Sequence, residues 1–249
     1  MCTVTWSRNP DGLTLLMNRD ELWSRGAAEP PRELDRDGMP VLAPLDTDAG
    51  GTWIAVNAAG VVLCLLNRYP SNEPGWQRPA GAGESAPSPR ESRGALVLRH
   101  SSARSAAEVP VRLARADLRR YSPFTLLAID RDTDPSLSRW DGFRLEVARA
   151  EPPIASSSFD EQAVIAARVA TYRAIVGAEP TRDALRAYHR SHLPHRGPYS
   201  VCAHRDDGGS RSLTEVHVGA DEIVMRYEPG APCETGPARR ATMRPLTRG

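Results

Sequence analysis

The apolar and polar positions at the start of the chain predict a β-hairpin. Residues 2–7 alternate strictly, with cysteine, valine and tryptophan side chains on one face of the expected strand. Residues 9–12 have the composition of a tight turn, because proline fixes its φ angle and glycine accepts a positive one. Residues 13–18 then continue as the second strand.

Further along, the pattern alternates between strands and helices. Residues 54–57 and 61–66 flank an Ala-Ala-Gly turn and predict a second hairpin. Residues 158–161 resemble a capping box and precede an apolar stripe of helical spacing, formed by Ile165, Val169, Tyr172 and Val176. The other predicted elements are helices over 93–120 (broken near Pro110) and 181–191, and strands over 124–130, within 136–149, and near 199–204, 212–218 and 222–228.

Hairpins at both ends with helices between them favour a mixed sheet, or two stacked sheets covered by helices. Residues 70–92 are rich in Pro, Gly and Ser and predict a long loop that overhangs a site. From Gly230 the chain is rich in Pro, Gly and Arg, which is typical of a frayed tail. We therefore expect one domain over residues 1–229 and a tail over 230–249.

Charge and composition exclude several classes of protein. The 249 residues include 32 basic and 31 acidic side chains, a balance that does not favour nucleic-acid binding. The longest nearly apolar stretch, 54–66, is too short to span a bilayer, so membrane insertion is not expected. All the basic residues are arginine, which excludes a catalytic or Schiff-base lysine and a P-loop lysine. A small-molecule substrate or ligand is therefore the expected binding partner. No feature of the sequence indicates an oligomeric state.

The cysteines point to a reducing compartment. No CxxC pair occurs, and the first residues lack the basic and apolar regions of a signal peptide. We therefore expect reduced thiols and a cytoplasmic location. Cys64 and Cys202 lie in predicted strands and are interpreted as small, buried apolar residues.

Cys2 is a candidate nucleophile because of its place in the chain. Methionine ahead of a small side chain is removed by aminopeptidases, which would leave Cys2 with a thiol and an α-amine. The amine has a pKa of roughly 7.7–8.0 and the thiol one of about 8.5, so the amine is a usable base beside the nucleophile. The alternative is that the chain begins Met-Cys by chance.

The register of the first hairpin adds to this hypothesis. If the ends of the 9–12 turn pair, Cys2 faces Arg19, and Asn18 and Asp20 flank that arginine. A guanidinium near the thiol would favour the thiolate, and a carboxylate would lie near the terminal amine. The alternative is a strand that merely ends in polar residues.

The second hairpin supplies another polar strand end. Pairing Asn57 with Gly60 sets Asn67 opposite Gly50, and the adjacent glycines 50 and 51 permit close backbone approach. The Asn67 amide could donate to an oxyanion. The alternative is an asparagine that only terminates a strand.

A set of short motifs in fixed order carries a resemblance to a known family. The motifs are Met1-Cys2, Asn18-Arg19-Asp20-Glu21, Gly50-Gly51-Thr52-Trp53, Leu66-Asn67 and Ser92-Arg93-Gly94. They resemble the NRDE family, also called the transport and Golgi organisation protein family, most strongly over residues 1–100. That family is similar to N-terminal nucleophile hydrolases of the penicillin V acylase and bile salt hydrolase branch. The resemblance implies an α+β fold, a four-layer αββα sandwich, without metal or cofactor.

The resemblance also implies roles for single residues. Cys2 matches the nucleophile, Asp20 the aspartate that holds the N-terminal amine, and Asn67 the oxyanion position. The acylase-branch arginine three residues before the aspartate is replaced by Met17, and Arg19 is the nearest catalytic candidate.

Two further positions of the acylase branch have only approximate counterparts. A second oxyanion asparagine is expected before the long helix, where Ser156 and Ser157 stand, and Ser157 is the substrate-binding candidate. Arg211 is the candidate for a late catalytic arginine. Asn18 and Trp76, the latter in the 70–92 loop, are the other substrate-binding candidates.

A histidine-rich segment offers a competing constellation. His189, His192 and His195 are spaced by three, with His204 nearby. Pro194 interrupts any helix there, so the three cannot share one regular face. Partly exposed histidines near a helix end are therefore preferred to a metal site.

Two hypotheses of function follow. In the first, the protein is an amidase-like hydrolase that uses Cys2 as its nucleophile and cleaves the C–N bond of a linear amide. In the second, the same fold binds or carries a small ligand of the haem or acyl-CoA type without turning it over. The replaced arginine and the serines in place of asparagine favour the second.

Overall fold

A computed structural model of the chain describes residues 2–70, 73, 77, 91–234 and 236–246. Trp76 and most of the predicted 70–92 loop lie outside these residues. The strands are β1 (Cys2–Asn9), β2 (Gly12–Leu22), β3 (Glu29–Arg36), β4 (Met39–Leu45), β5 (Ile54–Asn57), β6 (Val62–Asn67), β7 (Phe124–Ile129), β8 (Ser136–Trp140), β9 (Leu145–Arg149), β10 (Ile154–Ser156), β11 (Gly208–Val218), β12 (Ile223–Pro229) and β13 (Arg239–Met243). The helices are α1 (Arg93–His100), α2 (Glu108–Ala114), α3 (Glu161–Ile175) and α4 (Arg182–His189), with a short 3-10 turn at Leu118–Arg120.

These strands form two antiparallel sheets. The first has the order β10-β1-β2-β11-β12-β13, and the second the order β3-β4-β5-β6-β7-β8-β9. The first sheet therefore joins the N-terminal hairpin directly to the C-terminal strands. No helix in the part of the chain that the structure describes has the length and apolar character needed to cross a bilayer.

Two apolar clusters define the layers. The larger one fills the space between the sheets and includes Leu96 of α1, which packs against β5 and β6. The smaller one joins Leu16, on the opposite face of the first sheet, to Tyr172 of α3 and to Leu185 and Tyr188 of α4. The helices therefore cover the outer faces of two stacked sheets, and the predicted αββα arrangement is confirmed.

The register predicted for the first hairpin is confirmed. Asn9 pairs with Gly12 and Cys2 pairs with Arg19. Gly12 has φ +144°, and a Cβ there would lie 2.2 Å from the carbonyl oxygen of Val218, so only glycine fits. Side chains alternate along the hairpin, so that one face looks between the sheets and the other looks toward α3 and α4.

The register predicted for the second hairpin is wrong by one residue. Ile54 pairs with Cys64, because the Asn57 N–H bonds the carbonyl of Val61 and the Asn57 side chain accepts from the Val61 N–H. Asn67 therefore does not face Gly50. A one-residue shift of this kind moves every side chain to the other face of a strand.

Close backbone approach occurs instead between Gly51 and Gly94. A Cβ on Gly51 would lie 2.5 Å from the Gly94 carbonyl carbon, and the Thr52 N–H bonds the Gly94 carbonyl oxygen. This contact fixes the start of α1 against the segment that enters β5.

Several elements differ from the sequence prediction. The pattern did not predict β3, whose Pro30 and Pro31 are tolerated because β3 is an edge strand. Pro110 lies within the first turn of α2, which accepts proline, and the break falls earlier. Residues 199–204 form no strand. The tail predicted to be frayed contains β13, paired with β12.

Candidate active site

A cavity of about 460 Å³ opens where the two sheets separate near the start of β1. Cys2 is 8% exposed and lines it. Three of the predicted catalytic residues share this cavity with Cys2, namely Arg19, Asp20 and Asn67. The sandwich therefore brings together residues from β1, β2 and β6.

Cys2 lies in a row of three side chains that crosses three strands. It pairs with Arg19 of β2 on one side and with Ser156 of β10 on the other. Directly opposed residues of antiparallel strands present their side chains on the same face. The hydroxyl of Ser156 is buried and has no hydrogen-bond partner among the residues that the structure describes.

Ser156, rather than Ser157, is the serine beside Cys2. The Ser157 hydroxyl donates to the carbonyl of Phe159, and its backbone N–H bonds Glu161. Ser157 therefore organises the start of α3.

The Arg19 guanidinium is fixed on the cavity wall. It donates to Oδ2 of Asp46 at 2.9 Å and lies over the Trp53 ring at 4.7 Å from the ring centre. Arg19 is only 5% exposed, so its orientation is set by these two contacts. Its positive charge favours the thiolate form of Cys2.

Asp20 contacts Cys2 through the backbone and α3 through the side chain. Its backbone N–H bonds the Cys2 sulfur. One carboxylate oxygen accepts from Ser210 Oγ at 2.6 Å, and the other accepts from Arg168 Nη2 at 3.2 Å. Arg168 also donates to Thr3 Oγ1 at 2.6 Å, so it braces both strands of the first hairpin.

Burial is the largest influence on the pKa of the Cys2 thiol. It raises the thiol pKa above its ordinary value of 9.0, while the Asp20 N–H and the charge of Arg19 act in the opposite direction. The thiol is therefore protonated at neutral pH, and attack on a carbonyl needs a base to take its proton.

Asn67 and Arg93 occupy the far side of the cavity. Asn67 ends β6, and its amide donates to the hydroxyl of Tyr69 at 3.4 Å. Arg93, the first residue of α1, donates to the carbonyl of Pro123 at 3.0 Å. Burial lowers the pKa of Arg93. The Ser-Arg-Gly motif contained this arginine, although the sequence assigned it no role.

Besides Ser157, two predicted site residues within the described part of the chain do not line this cavity. Asn18 is fully buried on the helix-facing side, where its amide donates to the carbonyls of His189 and Val201. Arg211 lies at a bulge in β11 and donates to the backbone carbonyls of Leu22 and Trp23. Both side chains point away from Cys2. Their contacts instead hold α4 and the neighbouring loops in place.

Arg168 is the residue that sequence reasoning missed. Of the predicted apolar stripe on α3, Tyr172 and Val176 are buried, but the structure buries Val164 and Arg168 in place of Ile165 and Val169. The sequence signal for its burial was its position, since Arg168 lies four residues after Val164 and four residues before Tyr172. The sequence analysis assigned Arg168 no role.

The fold is similar to that of several solved structures. A variant of the conjugated bile acid hydrolase from Clostridium perfringens has a TM-score of 0.56 and 13% identity, with 96% of this chain and 92% of that chain covered. Penicillin V acylase from Agrobacterium tumefaciens has a TM-score of 0.52 and 14% identity, with 92% and 83% covered. An N-acylethanolamine-hydrolyzing acid amidase orthologue from Caenorhabditis elegans has a TM-score of 0.54 and 10% identity, with 86% and 92% covered.

At these identities the similarity shows the fold, which is that of the N-terminal nucleophile hydrolases. No curated protein sequence matches the chain. The model of the family described as Transport and Golgi organisation 2 matches residues 1–147, which is more than half of the chain. The chain therefore belongs to the Transport and Golgi organisation 2 family, the NRDE family.

Proposed function

We propose that this protein is an N-terminal cysteine hydrolase that cleaves the C–N bond of a linear amide after removal of Met1. The observation that carries the proposal is the position of Cys2. Its thiol lines the cavity between the sheets, and the backbone N–H of Asp20 bonds its sulfur.

The proposed reaction begins with the α-amine of Cys2, which takes the thiol proton as the sulfur attacks the amide carbonyl. The Asn67 amide and a backbone N–H stabilise the tetrahedral oxyanion. The protonated α-amine then donates its proton to the leaving nitrogen, and the C–N bond breaks. Water, deprotonated by the same amine, hydrolyses the thioester and restores the thiol.

Asp20 supports this scheme by its place in the register. Cys2 pairs with Arg19, so Asp20 lies one position beyond the end of β1, on the side where the α-amine of Cys2 would be. Its carboxylate is held by Ser210 and Arg168, which fixes a negative charge near that amine. A fixed carboxylate orients the amine and stabilises its protonated form.

The solved structures of similar fold support the substrate class. Their names describe an acylase, a conjugated bile acid hydrolase and an amidase for N-acylethanolamines. We propose by analogy that this chain also acts on a small amide. A cytoplasmic location remains a prediction of the sequence.

Ligand binding without turnover is the second candidate function. Two observations favour it: burial raises the pKa of the Cys2 thiol, and Ser156 stands beside Cys2 in place of an asparagine. In this case the cavity would hold a small ligand, and Cys2→Ala would leave the affinity for that ligand intact.

The test is the intact mass of the purified protein before and after limiting iodoacetamide, with the modified cysteine mapped. The hydrolase proposal expects loss of Met1, fast labelling at Cys2, and turnover of at least one member of an amide and thioester panel. Cys2→Ala should abolish that turnover, whereas Cys64→Ala, which removes a buried thiol of the sandwich core, should retain it. Retention of Met1 would overturn the mechanism, because the α-amine of Cys2 would then be part of a peptide bond.

A further inference from the structure

A second cluster of reactive side chains lies outside the cavity. His192, Cys202, His204 and Cys233 each offer one ligand atom, and these atoms all lie within 4.8 Å of one another. Nε2 of His204 is 3.2 Å from Nε2 of His192 and 3.5 Å from each sulfur. We propose that these four residues form a structural zinc site.

The distances fit tetrahedral coordination. With Zn–N near 2.05 Å and Zn–S near 2.3 Å, tetrahedral angles separate two nitrogens by about 3.3 Å and a nitrogen from a sulfur by about 3.5 Å. The separations of 3.2 Å and 3.5 Å around His204 match both values. The separations that His204 Nε2 makes are therefore those of a tetrahedral zinc site, and the remaining ligand atoms lie within 4.8 Å of one another.

Hydrogen bonding alone does not account for this arrangement. Nε2 of His204 faces one nitrogen and two sulfurs at once, whereas one nitrogen of a neutral imidazole either donates once or accepts once. A cation at the centre satisfies all four groups together. Two thiolates and two imidazoles are the ligand set that zinc prefers, and the thiolates balance its charge.

The ligands come from three separate segments. His192 follows α4, Cys202 and His204 precede β11, and Cys233 follows β12. Much of the chain between α4 and β11 has no regular secondary structure, and a metal shared by these segments would fix it in place. Four protein ligands leave no open position for substrate, so the site is structural.

The cluster is also connected to the support of Asp20. The backbone N–H of Ala203, between the two ligands Cys202 and His204, bonds Ser210 Oγ at 2.9 Å. Ser210 Oγ in turn donates to Asp20 at 2.6 Å. Zinc would thus hold the loop that positions Ser210, a side-chain donor to the Asp20 carboxylate.

One contact must change when the metal binds. The Arg196 guanidinium lies 3.3 Å from Nδ1 of His204. A neutral histidine bound through Nε2 carries its proton on Nδ1, which then donates instead of accepting. Arg196 therefore turns away, and a hydrogen-bond acceptor takes its place.

The test measures zinc directly in the full-length protein, purified under reducing conditions without a polyhistidine tag or chelator. We expect one zinc per chain, and loss of it in Cys202→Ser and His204→Ala. Cys64→Ala and His195→Ala are matched controls that should retain it, because neither residue belongs to the cluster. Cys233 is partly exposed, so Cys233→Ser should fold even if Cys202→Ser does not.

Replacement of zinc by Co²⁺ gives a readout that does not depend on activity. The tetrahedral site should show the visible absorption of four-coordinate Co²⁺ and a thiolate charge-transfer band, and Cys233→Ser should change both. Three results would each overturn the proposal: no metal after reconstitution with Zn²⁺, full zinc in a Cys202→Ser/Cys233→Ser variant, or a Cys202–Cys233 disulfide in the purified protein. The Cys2→Ala variant serves equally well, so the outcome is independent of hydrolysis.

Discussion

Arg168 donates to Asp20 at 3.2 Å within a part of the fold where neither side chain reaches solvent. Removing one partner of a buried ion pair leaves an uncompensated charge, which costs about 3–5 kcal/mol. We therefore expect Arg168→Met to lower the free energy of unfolding by about that amount, as measured by urea denaturation. Arg168→Met/Asp20→Asn should recover part of the loss, because the double variant leaves no unpaired charge.

Arg119 provides the matched control for this prediction. It also pairs with an aspartate, Asp117, but its side chain is 76% exposed. Arg119→Met should leave the urea midpoint unchanged, since solvent already screens the pair. Equal effects of Arg168→Met and Arg119→Met would show that the buried pair is not what stabilises the first hairpin.

The pH dependence of alkylation at Cys2 should differ between chains that keep Met1 and chains that have lost it. In a chain that keeps Met1, the rate of alkylation should still rise above pH 9.0, because burial raises the pKa of the thiol and only the thiolate reacts. After removal of Met1, the protonated α-amine next to the sulfur should move the profile to lower pH. The measurement is the iodoacetamide rate at Cys2 by mass spectrometry, and superimposable profiles would contradict the prediction.

Gly51 should not tolerate a side chain. The Cβ of alanine would lie 2.5 Å from the carbonyl carbon of Gly94, a contact that only a shift of α1 relieves. We expect Gly51→Ala to destabilise the fold by about 1–3 kcal/mol, the usual cost of overpacking. In Gly236→Ala the new Cβ would be 3.8 Å from its nearest neighbour, so this control should match the parent in thermal unfolding.

Ser156 should affect activity and stability in opposite directions. Its buried hydroxyl beside Cys2 has no partner among the described residues, so Ser156→Ala should raise the free energy of unfolding by about 1 kcal/mol. If this hydroxyl donates to the oxyanion, the same change should lower kcat by about 10². Ser157→Ala should instead destabilise the start of α3 with little effect on kcat, and the reverse pattern would restore Ser157 as the site residue.

His189 should make the protein sensitive to acid. Its Nδ1 contacts the Asn18 side-chain oxygen at 2.9 Å, its Nε2 contacts Thr5 Oγ1 at 2.8 Å, and burial lowers its pKa to about 3. Because the pKa is lower in the folded state, the stabilisation is complete above the unfolded value of about 6.5 and is lost as pH falls toward 3. The free energy of unfolding should drop by about 1.4 kcal/mol per pH unit in this range.

His189→Gln isolates this contribution, since glutamine does not titrate. Urea midpoints of the variant between pH 6.5 and 4 should fall less steeply than those of the parent. His100, whose pKa burial lowers to about 4, acts in the same direction in both proteins and therefore cancels in the comparison. Parallel slopes would mean that His189 is not the group that titrates.

The parts of the fold that sequence predicted are those set by local interactions. The turn at residues 9–12 fixed the pairing of Cys2 with Arg19, because hairpin register follows from turn geometry. The second hairpin was wrong because the Asn57 side chain accepts a backbone N–H and widens the turn. The spacing of apolar and polar residues around the turn does not indicate that the Asn57 side chain takes part in it.

The parts that sequence missed depend on contacts between distant segments. Arg168 meets Asp20 across 148 positions of the chain, so no window of the sequence contains both. The cluster of His192, Cys202, His204 and Cys233 spans three segments, and Cys202 by itself was interpreted as an apolar residue. These side chains become neighbours only in the folded chain, and the pattern of apolar and polar residues along the sequence does not show which distant residues will meet.

Arg19 and Asp20 are neighbours in β2, but their side chains point into different layers of the sandwich. The Arg19 guanidinium lies against Trp53 between the sheets, and the Asp20 carboxylate meets Arg168 beneath α3. A substitution at Arg19 therefore changes the cavity wall and the charge beside the Cys2 sulfur together, whereas a substitution at Arg168 or Ser210 acts on the Asp20 carboxylate from outside the cavity. An engineer could thus reset the charge around Asp20 by changing only residues that never touch a bound ligand.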